Sequence, residues 1–306
     1  MTAKILCLGE PMLEFNQQPD GRYLPGHGGD TSNCAIAAAR QGAEVGYVTH
    51  LGADAFGDSF MDLWAREGID TSGVRQVATA PTGVYFVTHT DAGHQFSYFR
   101  EGSASSRMGP EDLPREALET ADILHVSGIS QAISTSAADA VFAAIDMVKS
   151  AGGQVSYDTN LRLKLWPVDR ARAVIHAAMA RCDIALPGLE DAALLTGEDD
   201  PDRIADFYLA LGAKIVALTL GAEGTLVATP DDRQRITGRR VEAVDATAAG
   251  DTFDGAFLAR LIGGDTPFEA ARYANAAAAL STQGYGAVAP MPYRADVEAF
   301  LQKDPR

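Results

Sequence analysis

Short unbroken apolar runs alternate along the chain with segments of helical period. "KILCLG" (4–9), "EVGYVTHLG" (44–52), "DILHVSG" (122–128), "QVSYDTN" (154–160), "DIALP" (183–187) and "KIVALTLG" (214–221) are too short for helices and predict strands. Helices are predicted between them, over 31–42, 54–68, near 135–151, near 168–181, near 189–196 and near 201–212. The first opens on Thr31-Ser32 and stops at Gly42; the second ends at Gly68. Strands separated by helices must pair in parallel, because the chain crosses over before it returns. The pattern predicts an α/β sandwich. Segments 225–230 and 239–244 predict an antiparallel pair that finishes the sheet, and 250–303 is predicted helical throughout.

Two stretches break this rhythm. "MLEFNQQPDGRYLPG" (12–26) has a Pro-Asp-Gly turn between strand-like segments, and "TGVYFVTHTDAGHQFSYFR" (82–100) has "TDAG" between two alternating runs. Neither has helical period. They predict a small β-sheet over 12–26 and 81–101, set apart from a main domain of 1–11, 27–80 and 102–306 and placed to cover something.

Composition narrows the function. A chain of 306 residues, 46% hydrophobic and 22% charged, can bury a sizeable core. The three scattered cysteines, Cys7, Cys34 and Cys182, argue against a disulfide framework and for a reducing, cytoplasmic setting. No CxxC or HExxH occurs and the histidines are dispersed, which argues against a His/Cys metal site. "MTAKILCLGE" reaches an acid too soon for a secretory leader, and no apolar run is long enough for a membrane span. The net charge of −16 disfavours nucleic acid and anionic membranes as partners. It also means that an anionic small molecule needs a local cationic pocket.

There is no GxxxxGK[ST] loop and no GxGxxG after a strand. Three other segments could carry chemistry. In Gly28-Gly29-Asp30-Thr31-Ser32-Asn33 the glycines let a ligand approach the backbone, and Asp30 and Asn33 can bond sugar hydroxyls. The same residues also make an ordinary turn and cap. Asp158-Thr159-Asn160-Leu161-Arg162 follows a predicted strand, and open α/β sheets bind ligands beyond strand carboxyl ends. The third is "DATAAGDTFDGAFLARL" (245–261), which sets Asp251 behind Ala248-Ala249-Gly250 at a helix start. Small residues leave the helix-end N–H groups uncovered, and that end attracts anions. Asp251 alone could equally be a capping residue.

"GGDTSNCAIAAARQGAEVGYVTHLGADAFGDSF" (28–60) and "DATAAGDTFDGAFLARL" resemble, in order, the two signatures of the ribokinase (PfkB) family of carbohydrate kinases. The resemblance covers essentially the whole chain. Within the family, "GEPMLEF", "GGDTSN", "FSYFR", "VSGIS" and "DTNLRLKLWP" resemble the subgroup acting on 2-keto-3-deoxygluconate. The implied fold is a three-layer α/β/α sandwich with a mostly parallel sheet and a β-sheet lid.

The resemblance makes Asp251 the base and the N–H groups of Ala248, Ala249, Gly250 and Asp251 an anion hole. It implies a sugar acid held by Gly29, Asp30, Asn33, Tyr85 and Tyr98, with Arg100 and Arg162 on its carboxylate. ATP is implied at Asn160, Thr219, Gly221, Gly224, Ala248, Gly250 and Asn275, with Mg²⁺ and an optional monovalent cation. Where the family often has Asn-x-x-Glu, this chain has Gly188 and Asp191, with Glu190 adjacent. The metal ligand therefore stays unassigned. A neutral-sugar kinase such as a fructokinase or ribokinase is the rival within the family, and a catalytically silent sugar sensor the rival outside it. The exposed edges of a small lid sheet suggest a homo-oligomer.

Overall fold

The structure is a computed structural model that describes residues 4–18, 20–90 and 93–303. In chain order the strands are β1 (Lys4–Leu8), β2 (Met12–Gln17), β3 (Tyr23–Gly28), β4 (Glu44–Gly52), β5 (Asp70–Val77), β6 (Gly83–Thr90) and β7 (Gly93–Phe99). They continue with β8 (Ile123–Ser127), β9 (Gln154–Asp158), β10 (Ile184–Leu186), β11 (Ile215–Thr219), β12 (Gly224–Ala228) and β13 (Arg233–Thr237). The helices are α1 (Asp30–Arg40), α2 (Ala55–Arg66), α3 (Arg115–Glu119), α4 (Gly128–Ala132), α5 (Thr135–Ala151) and α6 (Val168–Met179). After these come α7 (Leu189–Thr196), α8 (Pro201–Leu211), α9 (Ala249–Ile262), α10 (Pro267–Ser281) and α11 (Arg294–Lys303).

Nine strands form one sheet in the order β13-β12-β11-β10-β9-β8-β1-β4-β5, and all its pairings are parallel except the two made by β12. Helices cover both faces, so both faces of each central strand are apolar. In β1, Ile5 and Cys7 pack into one core with α1, α9 and α10, while Leu6 and Leu8 pack into the other with α5 and α6. That double burial explains why these strands read as continuous apolar runs.

The remaining four strands form a separate sheet, β3-β2-β6-β7. Within it β2 pairs antiparallel with β3 and parallel with β6, and β6 pairs antiparallel with β7. Pro19 of the Pro-Asp-Gly turn and Asp91 and Ala92 of "TDAG" lie outside the described residues.

Two expectations are corrected. The partner of β12 is Arg233–Thr237, not 239–244. The chain turns back at once after Ala228: Thr229 N–H donates to Asp232 O at 2.8 Å around Pro230, a favoured turn residue. The stretch 250–303 is not one helical run. Gly263 and Gly264 end α9, and 282–293, with Gly284, Gly286, Pro290 and Pro292, is irregular. The edge strand β5 went unread in the sequence because it is polar and half exposed, without alternation.

Candidate active site

Among the described residues, one cavity of about 720 Å³ lies between the two sheets. It opens at the carboxyl ends of the central strands: Glu10 follows β1, Ile129 follows β8, and Asp158 ends β9. Strand order reverses here, since β4 and β8 flank β1 on opposite sides. This is where open α/β sheets bind ligands.

The floor is built from two helix starts. Gly29 precedes α1 at φ 105°, and a side chain there would stand 2.5 Å from Glu10 O, so only glycine fits. Asp30 is then fixed: one carboxylate oxygen accepts from Thr31 N–H and the other from Asn160 Nδ2 at 3.0 Å. One turn on, Asn33 Nδ2 donates to Asp251 Oδ2 at 2.8 Å. Its other polar atom, Oδ1, is buried and has no hydrogen-bond partner among the described residues. The first turns of α1 and α9 thus meet at the base of the cavity.

Ala248, ahead of α9, has φ 59°, and Asn160 has φ 26°; they are the only described non-glycine residues with positive φ, and both line the cavity. Such backbone is sparsely populated and tends to gather at functional sites. Of the four N–H groups expected to form an anion hole, one is already engaged. Ala249 N–H donates to Ala246 O at 3.2 Å. The N–H groups of Ala248, Gly250 and Asp251 carry no hydrogen bond among the described residues.

Asp251 is half-buried, and its carboxyl is pushed up to about 7, first by burial and then by the nearby charge of Asp30. The Asn33 hydrogen bond and Arg162 pull the other way. One helical turn on, Asp254 is 4% exposed and lines the cavity. Burial, and then Asp158, Asp251 and Asp30, hold it well above the usual carboxylate range. Asp158 is raised likewise, by burial and then by Asp251, Asp30 and Asp191.

The small sheet roofs the cavity. In register, Glu14 pairs with Tyr85 and Tyr85 with Tyr98, which puts all three on one face. Tyr85 donates its hydroxyl to Glu14 Oε2 at 2.6 Å, and the Tyr85 and Tyr98 rings lie 5.8 Å apart.

Arg100 lines the cavity but is already paired. Its Nε donates to Glu10 Oε2 at 2.8 Å, its Nη2 donates to the same oxygen, and Ser103 donates to Glu10 Oε1 at 2.7 Å. Arg162 is exposed and, among the described residues, donates only to Leu161 O, at 2.9 Å. Its segment is anchored by Asp191, whose Oδ2 accepts from Leu161 N–H at 2.8 Å. Burial raises the Asp191 carboxyl, against the pull of that bond and of Arg162. Asp191 lines the cavity, whereas Glu190 is exposed outside it.

On the remaining wall, Thr219 lines the cavity with Gly188, Ala246 and Thr247. Gly221 and Gly224 lie outside the lining. Gly221 is exposed, with open space around its Cα; Gly224 is a glycine because a side chain would stand 2.1 Å from Ile236 O. Asn275 is also outside. Its Oδ1 accepts from Thr225 Oγ1 at 2.7 Å and its Nδ2 donates to Ile236 O at 3.2 Å, so it holds α10 to the sheet.

The sequence matches the family described as pfkB family carbohydrate kinase over residues 2–294. The chain belongs to the pfkB family of carbohydrate kinases. It is 34% identical to a 2-dehydro-3-deoxygluconokinase of Bacillus subtilis (strain 168), over 98% of this chain and 96% of that one. It is also 30% identical to a probable fructokinase-4 of Arabidopsis thaliana, over 97% of this chain and 96% of that one. The crystal structure of a putative ribokinase II from E. coli in complex with ATP and Mg²⁺ superposes with a TM-score of 0.91, at 26% identity, over 98% of this chain and 99% of that one. The fold is therefore ribokinase-like, and the protein is a sugar kinase.

The cavity gathers Gly29, Asp30, Asn33, Tyr85, Tyr98, Arg100, Asn160, Arg162, Thr219, Ala248, Ala249, Gly250 and Asp251 from distant parts of the chain. Glu10, Glu14, Lys164 and Asp254 also line it and were missed as site residues, and Asp158, from a segment singled out in the sequence, lines it too. Signals for some were present. Glu10 follows a predicted strand directly, and Asp254 is three residues from Asp251, on the same helix face.

Proposed function

We propose that the protein transfers a phosphoryl group from ATP to the 6-hydroxyl of 2-keto-3-deoxygluconate, giving 2-keto-3-deoxy-6-phosphogluconate. The meeting of Asp251 with the open start of α9 at the cavity floor carries this assignment. The hydroxyl oxygen bonds to phosphorus, its proton passes to the Asp251 carboxylate, and the bond to the ADP oxygen breaks. A carboxylate raised to about 7 is a better base for that proton than an ordinary one. The N–H groups of Ala248, Gly250 and Asp251 face the charge that develops on the transferring group. Asn33 orients the carboxylate through its Nδ2.

The nucleotide fits along Thr219, Ala246 and Thr247 toward the exposed backbone at Gly221, with Asn275 bracing that wall from behind. Mg²⁺, when bound, would neutralise phosphate charge. No group of three or more His, Cys, Asp or Glu among the described residues is disposed to hold a metal. The ion would be carried mainly by phosphates and water, and Asp191, which lines the cavity, would bond its waters.

The sugar acid is supported by the exposed Arg162 guanidinium and by the B. subtilis relative. One observation favours a neutral sugar instead: Glu10 cancels the charge of Arg100. Incubation with ATP, Mg²⁺ and 2-keto-3-deoxygluconate, with the product read by mass and by phosphorus–proton NMR coupling, tests the proposal. Phosphate on the C6 oxygen is expected; no phosphorylated acid at enzyme excess rules it out.

A further inference from the structure

Tyr98 lies between two cations. The Arg100 Cζ is 5.8 Å from its ring centroid and the Lys164 Nζ is 5.9 Å from it. All three residues line the cavity. The two cations differ in how they are engaged. Arg100 is held by a buried carboxylate through two of its nitrogens, so the pair presents little net charge. Lys164 is exposed, and among the described residues its ammonium has no carboxylate partner, only the ring face. Arg162, two residues earlier, also acts electrostatically on Asp251 and Asp191, so its charge is partly engaged by cavity acids. Lys164 lies against the small sheet, over the Tyr98 ring.

The geometry assigns to Lys164 the role of specificity-determining contact for the anionic end of the substrate. The assignment rests on the sugar-acid reading above. A substrate whose 6-hydroxyl meets Asp251 extends its other end toward the small sheet, where Tyr98, Arg100 and Lys164 converge. Arg100 offers hydrogen-bond donors fixed by Glu10, and Lys164 offers the uncompensated charge. Its support segment is rigidly rooted, since Asn160 bonds Asp30 and Asp191 holds Leu161 N–H. Its four-carbon stem leaves the ammonium free to move from the ring onto a carboxylate.

The test compares wild type, Lys164→Gln and Lys164→Arg. KM for 2-keto-3-deoxygluconate, KM for ATP and the acid-to-fructose ratio of kcat/KM are measured, with calorimetric binding of the acid as a second readout. Lys164→Gln is expected to raise KM for the acid about tenfold, the scale of one hydrogen bond to a charged group. The acid-to-fructose ratio should fall by a similar factor, KM for ATP should move less than twofold, and Lys164→Arg should restore most of the loss. An unchanged KM and affinity for the acid in Lys164→Gln overturns the assignment alone. A KM for ATP that rises as much as that for the acid does the same, since it places Lys164 on the nucleotide. A wild type that neither binds nor phosphorylates the acid overturns the sugar-acid reading, and this assignment with it.

Discussion

Asp251 combines two properties that usually exclude each other. It stands where a helix start stabilises negative charge, yet burial and Asp30 raise its carboxyl to about 7. A base must be ionised to accept a proton, so its competent fraction grows as pH rises through that value. We predict that kcat/KM climbs about tenfold per pH unit below 7 and levels off above it. Steady-state rates from pH 5.5 to 9 check this, and a flat profile across pH 6–7.5 contradicts it. Asp251→Asn should lower kcat by at least about 1000-fold while the sugar still binds by calorimetry; retained turnover would remove Asp251 from the mechanism.

At the scale of elements, the site depends on how closely α1 and α9 approach. Gly255 makes this possible: a Cβ there would lie 2.3 Å from Cys34 O and 2.6 Å from Ala37 Cβ. These are backbone and short side-chain atoms that cannot swing away. Gly255→Ala is expected to destabilise by about 1–3 kcal/mol and to shift Asp251 relative to Asn33. A lower melting temperature together with a larger fractional loss of kcat than of folded protein is the expected outcome. A variant as stable and active as wild type contradicts this account of the contact. The central strands and most helices were legible in the sequence because double burial leaves unbroken apolar runs and glycine stops. β5 and β13 were not, since edge strands need no apolar face and turn chemistry alone sets their limits. The site was legible only where a motif fixed it. Pairings across the fold, such as Glu10 with Arg100 and Asn160 with Asp30, depend on residues 90 and 130 apart in sequence, beyond any local pattern.

For the whole molecule, the difficulty posed by the sequence was an anionic substrate on a chain of net charge −16. The cavity sharpens it, being lined by seven carboxyl groups and three cations. The count overstates the charge. Asp158, Asp251 and Asp254 are all held up toward the neutral form, chiefly by burial. Glu10 is also spent on Arg100, while Lys164, on an exposed segment, lies against Tyr98 of the small sheet. A charged sugar can therefore enter with its carboxylate toward the cations and its hydroxyl toward partly protonated acids. The fructokinase relative and the Glu10–Arg100 pair make a neutral sugar the serious competitor. The most direct measurement is the ratio of kcat/KM for 2-keto-3-deoxygluconate to that for fructose, with saturating ATP and Mg²⁺ at pH 8. The account predicts a preference of about 100-fold or more for the acid. A ratio at or below one contradicts it and makes the protein a neutral-sugar kinase.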